Sequence, residues 1–180
     1  MREPKEATRA VRNVEVLEPS FVEGIRDLPL DELRRRRDEA LAEREFISYL
    51  RRLLQVREDV FKIERSRRQQ GGEPEDLMDR LTRVLSDGPR ARGRGEALRI
   101  VLSGDDVAEA ERRVEDAIGP SSSARPETLD DHDLDDVLAA LEREERAVSE
   151  TRALVFRVHD RLQDELKRRY QENPSQIGPV

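Results

Sequence analysis

From Leu30 to Gln70 the chain carries neither proline nor glycine, and an apolar residue returns every seven positions: Leu33, Ala40, Ile47, Leu54 and Phe61. A second stretch behaves alike, with Leu134, Leu141, Val148, Val155 and Leu162 at the same interval. A seven-residue repeat held this long demands a helix with a narrow apolar seam, the face of a coiled coil. Forty residues rising about 1.5 Å each make a rod of roughly 60 Å. Leu50, Leu53 and Val60 widen the first seam. Composition agrees: 42% of residues are charged, 3% are aromatic and none is Trp. Such a chain cannot fill a thick core, but a seam needs little apolar mass. Disordered chains share this composition. The period separates the two cases and favours helices for about half of the chain.

The breakers divide the rest. Residues 1–28 mix charges with Pro4, Pro19 and Gly24 and hold no period, so they read as a mobile N-terminal arm. Its apolar patches (Val14, Val16, Leu17, Phe21, Val22, Ile25) are candidates to dock on a partner. Residues 29–72 form the first long coiled-coil helix, with Asp31 as N-cap or first-turn acid and Gly71-Gly72 as its stop. Residues 73–128 form a connecting segment. It contains a short amphipathic helix over Pro74–Leu85, a basic loop from Ser86 to Gly95, and short helices over Glu96–Ser103 and Asp105–Ile118. Ser121–Pro126 reads as a linker. Residues 129–172 are the second long helix, and 173–180 a flexible tail. The expected fold is all-α, an antiparallel coiled-coil hairpin of two long helices, with short helices and a flexible loop in the connection.

Charge and cysteine content exclude several functions. A net charge of −7 opposes direct DNA binding, which usually needs a basic face. The absence of cysteine removes disulfides and thiolate metal sites. No apolar run of signal-peptide or membrane-spanning length occurs, so a cytoplasmic protein without membrane contact is expected.

Sliding the first long helix onto the second at an offset of 101 residues superposes the two seams. It also aligns polar residues: Ser48 with Ser149, Arg51 with Arg152, Asp59 with Asp160. Two polar sets result, Arg44, Ser48, Arg51, Gln55, Asp59 and Glu145, Ser149, Arg152, Phe156, Asp160. Helical geometry puts each set in a wedge roughly 80° wide and about 22 Å long, beside the seam. If the helices fold back on one another, the stripes face each other about an approximate twofold axis. Arginine chelates guanine N7 and O6 or stacks on a base. A carboxylate accepts from guanine N1–H and N2–H₂, and Ser or Gln reaches phosphates or base edges. A twofold-symmetric guanine nucleotide suits two facing copies, and without a glycine-rich phosphate cradle the grip comes from side chains.

The spacing Glu-x₃-Ser-x₂-Arg-x₃-Gln-x₃-Asp, once on each helix, resembles the signature of the actinobacterial RsiG family of anti-sigma factors. Ser48, Arg51, Gln55 and Asp59 match it in the first copy, and Glu145, Ser149, Arg152 and Asp160 in the second. The resemblance implies that these residues bind an intercalated dimer of cyclic di-GMP. It further implies that the loaded protein sequesters a sporulation sigma factor of the WhiG type. Arg44 stands where the family has Glu, and Phe156 where it has Gln. Arg44 can still meet a phosphate, and Phe156 can stack or pack.

Plainer readings stand beside these. Each stripe can be a solvated flank with surface ion pairs, and the chain a constitutive coiled-coil adaptor that binds no nucleotide. The run Arg34–Arg37 reads as a solvated face, and the loop through Arg90, Arg92 and Arg94 as a linker. His132 lies in an acidic helix start that reads as favourable N-terminal charge rather than a metal site. His159 receives no role. No carboxylate pair is joined by a nucleophile or metal partner, so no catalysis and no metal are expected.

Overall fold

A computed structural model describes residues 11–71, 102–119 and 125–173. The expected helix over Pro74–Leu85, the basic loop, most of the Glu96–Ser103 helix and of the Ser121–Pro126 linker, and all but Asn173 of the tail lie outside the described residues. Those described are all-helical, with no strand among them. Three α-helices occur: α1 (Leu30–Gln69), α2 (Gly104–Ile118) and α3 (Asp131–Glu172). All ten seven-residue repeat positions are at most 1% exposed. Among the described residues no helix is long and apolar enough to cross a membrane.

Local chemistry sets the helix ends. Asp31 and Glu32 fall in the first turn of α1, where negative charge offsets exposed N–H groups. Gly71 adopts φ +62° just after α1, a left-handed conformation that costs glycine no Cβ clash. Ser103 and Asp106 close a capping box on α2. The Asp130 carboxylate accepts the Asp133 N–H at 2.8 Å and caps α3.

The chain divides into two compact units, one of residues 1–51 with 146–180, the other of residues 52–145. In the first unit the long helices pack antiparallel: Arg34 bonds Tyr170, Arg37 bonds Gln163 and Arg152 bonds Ser48. Its core joins Leu33, Ala40, Leu162 and Leu166 to Val16, Phe21 and Val22. Residues 11–28, expected to belong to a mobile arm, therefore pack here through two 3-10 turns, Val14–Leu17 and Pro19–Phe21. Their apolar residues cover α1 and α3 of their own chain instead of awaiting a partner. Side chains from the helix fasten the segment. The buried Glu43 carboxylate accepts the Arg12 and Asn13 N–H groups at 2.8 and 3.2 Å. Arg36 donates to Phe21 O at 2.8 Å. The arginine run is thus not simply a solvated face, since Arg34, Arg36 and Arg37 all bind inside the unit.

At the end of α3, Glu165 accepts from Arg168 and Arg169. Arg169 in turn donates to the carbonyls of Ile25, Arg26 and Leu28 at 2.6–2.9 Å. The two guanidinium groups, Arg168 first, hold the Glu165 carboxyl down to about 2.

In the second unit α1 and α3 again run antiparallel, through Gln55 with Glu145, Arg65 with Asp135, and Arg68 with Asp131. Leu54, Phe61, Leu134, Val137, Leu138 and Leu141 are buried, as are Ala110, Val114 and Ile118 of α2. Glu64, 1% exposed, accepts from Arg67 and Arg68. Arg68 also caps the carbonyls of Pro126 and Leu129 at 3.1 and 2.8 Å. The Arg67 bond, then Arg68, hold the Glu64 carboxyl down to about 2.

Candidate functional site

The motif residues fall into a cluster in each unit. In the first, the serines and arginines cross between helices. Arg51 Nε donates to Ser149 Oγ at 2.7 Å, and Arg152 Nε donates to Ser48 Oγ at 3.2 Å. Each motif arginine is therefore oriented by the serine of the other copy. Ser48 commits its own hydroxyl proton to Arg44 O, one turn back, at 2.7 Å. Its oxygen is left as an acceptor. This i−4 bond explains how a serine fits mid-helix while facing a partner helix.

Arg44 joins the same cluster. Its guanidinium lies 4.3 Å from the Phe156 ring centroid, and that of Arg152 lies 4.1 Å from it. Both distances are within the range at which a cation is attracted to an aromatic face. Arg44 Nη1 also stands 3.3 Å from His159 Nδ1, which accepts in the tautomer protonated on Nε2. Burial, then the charges of Arg51 and Arg44, pull the Arg152 guanidinium below the ordinary arginine value. Half-buried like charges raise the local potential, which favours an anion. Among the described residues no carboxylate pairs with Arg44 or Arg152. Asp160 is exposed, with Oδ1 3.2 Å from His159 Nδ1.

In the second unit Gln55 Nε2 donates to Glu145 Oε1 at 3.1 Å, and both side chains are half-buried. Asp59 is exposed, near enough to Lys62 to favour its charged form. The structure thus gathers Arg44, Ser48, Arg51, Ser149, Arg152 and Phe156 in one cluster and Gln55 with Glu145 in another, and leaves both aspartates at the surface.

His159 went unassigned in the sequence, yet it is buried and positions Arg44. Its spacing of three from Phe156 and seven from Arg152 put it near the stripe, and that was the available signal. The clamps of Glu64 and Glu165 were also missed. They obey the offset of 101, as do their arginines: Arg67 with Arg168 and Arg68 with Arg169. Extending the repeat beyond the stripe finds them. His132 is exposed and lies 3.2 Å from Asp136, and no group of three or more metal-ligating side chains assembles among the described residues.

A family model described as RsiG-like matches residues 19–85. The match takes in all of α1 and the first-copy motif, and ends before α3. Comparison with curated proteins gave no match.

Proposed function

Starting from the assignment to the RsiG family that this match supports, we propose that the protein is an anti-sigma factor controlled by cyclic di-GMP. An anti-sigma role, with a sigma factor as partner and no enzymatic activity, is what the family suggests. The finer reading is that the loaded protein holds a WhiG-type sporulation sigma factor and delays differentiation. The ligand is an intercalated dimer of cyclic di-GMP, and it acts by preferring one of two arrangements of the helices.

The crossed bonds Arg51–Ser149 and Arg152–Ser48 carry this reading. Two ion-pairing flanks of a coiled coil would match Arg with Asp or Glu. Here each arginine donates Nε to a neutral serine, which orients the guanidinium. A guanidinium oriented in this way suits a phosphate or a guanine edge. In the second unit Gln55 and Glu145 pair an amide with a carboxylate, groups complementary to base-edge donors and acceptors. The same crossed bonds would also suit a constitutive coiled-coil adaptor, where they merely staple helices.

Calorimetric titration with cyclic di-GMP, with and without a WhiG-type sigma factor, separates the two. Binding is expected, at two nucleotides per chain, and it strengthens sigma-factor capture. No heat in either condition overturns the reading and leaves the adaptor. Arg51→Ala and Arg152→Ala should each weaken binding about tenfold or more, the worth of one charge-assisted hydrogen bond, with helicity by circular dichroism unchanged. Unaltered affinity in both variants places the ligand elsewhere.

A further inference from the structure

The two departures from the family spacing, Arg44 and Phe156, touch each other. At the offset of 101 their counterparts are Glu145 and Gln55, which also touch each other. One contact has thus been exchanged whole: a carboxylate–amide hydrogen bond in the second unit corresponds to a guanidinium–ring contact in the first. A Glu at 44 beside Phe156 would lose its amide donor, and an Arg at 44 beside a Gln would lose the ring that draws it in.

The exchange also reverses charge. The place that holds a carboxylate in the second unit holds a guanidinium in the first, beside the guanidinium of Arg152. Phe156 lies within reach of both cations, and its negative ring face offsets their mutual repulsion. Ser48 fixes Arg152 through Nε, while its terminal nitrogens have no acceptor among the described residues. His159 holds Arg44 through one terminal nitrogen.

We propose that Arg44, Phe156 and Arg152 form an anion site for a phosphodiester or diphosphate group, at which this chain grips its ligand by charge. At the corresponding place in the second unit stand a carboxylate and an amide, Glu145 and Gln55, with no such pair of cations. The inference rests on the cyclic di-GMP reading for the ligand's identity, not for the anion site.

The test titrates the full chain with cyclic di-GMP and, separately, with inorganic pyrophosphate, at several salt concentrations. Variants are Arg44→Glu, Arg44→Lys, Phe156→Gln and the double Arg44→Glu/Phe156→Gln, each checked for helicity. The wild type should bind both probes. Arg44→Glu should abolish pyrophosphate binding and weaken cyclic di-GMP at least tenfold. Arg44→Lys should keep part of both, because it retains charge but not the planar stack. The double variant should still fold, should not bind pyrophosphate, and should show a flatter salt dependence for cyclic di-GMP. Pyrophosphate binding without cyclic di-GMP binding sinks the messenger reading and supports the anion site. Cyclic di-GMP binding with the same affinity and salt slope in Arg44→Glu overturns the anion site and spares the messenger reading. Pyrophosphate binding that survives Arg44→Glu is adventitious and also overturns it.

Discussion

In the first unit Glu165 holds Arg168 and Arg169, and Arg169 caps the carbonyls of Ile25, Arg26 and Leu28. In the second, Glu64 holds Arg67 and Arg68, and Arg68 caps those of Pro126 and Leu129. Ile25 corresponds to Pro126, and Leu28 to Leu129, at the same offset of 101. So the end of each long helix fastens the segment that leads into the other, through corresponding residues in both units. One turn of polar residues within the stripe does not follow suit. There Glu145 with Gln55 in one unit stands against Arg44 with Phe156 in the other. The repeat is strict where it closes the fold and loose within the polar stripe. A clamp that satisfies buried carboxylate and carbonyl oxygens has one good solution, because leaving any of them unpaired is costly. A half-buried contact at the motif tolerates either chemistry.

The largest effects should come from the seam, where the units are alike. Phe61 and Leu162 are counterparts and fully buried. Phe61→Ala should cost about 4 kcal/mol and Leu162→Ala about 3 kcal/mol in urea denaturation. A cost near zero for either would show that its unit contributes no core.

The clamps come next. Glu64→Ala or Glu165→Ala removes the buried acceptor that two guanidinium groups share and should cost about 2–3 kcal/mol each, with the two values close together. Widely different values would break the equivalence of the units. Both carboxyls drop from 4.5 to about 2 in the folded chain. A depressed pKa stabilises the fold fully above 4.5, and that contribution fades as pH falls from 4.5 toward 2. Acid titration of the double variant Glu64→Gln/Glu165→Gln should show a shallower loss of stability across that window than the wild type. An unchanged slope would remove the clamps as its cause.

The smallest effects should lie where the units differ. Arg44→Ala should change stability by about 1 kcal/mol or less, since losing the ring contact is partly offset by relief of repulsion from Arg152. Gln55→Ala should cost about 1 kcal/mol, the worth of one hydrogen bond. A cost above that of the clamp variants in either case would make the exchanged contact structural.

The long helices were legible because a seven-residue apolar period can be satisfied by little else, and because Gly71 and Asp130 mark their ends in local chemistry. The crossed serines and arginines were legible as two stripes, since the spacing fixes a shared face. The packing of residues 11–28 was not. Their 3-10 turns are too short for a period, and their anchors, Glu43 and Arg36, lie on α1, far along the chain. Nor did Arg34 to Arg37 reveal their partners, because a long guanidinium side chain reaches wherever an acceptor waits.

The duplicated motif, its offset and its two departures belong to the sequence alone, because periodicity and residue identity need no coordinates. That Arg44 and Phe156 meet could be decided only by tertiary structure. They stand more than a hundred residues apart, and only antiparallel packing of α1 against α3 within the first unit brings the guanidinium to the ring. Two apparent lapses in a repeat become one exchanged contact once that register is known.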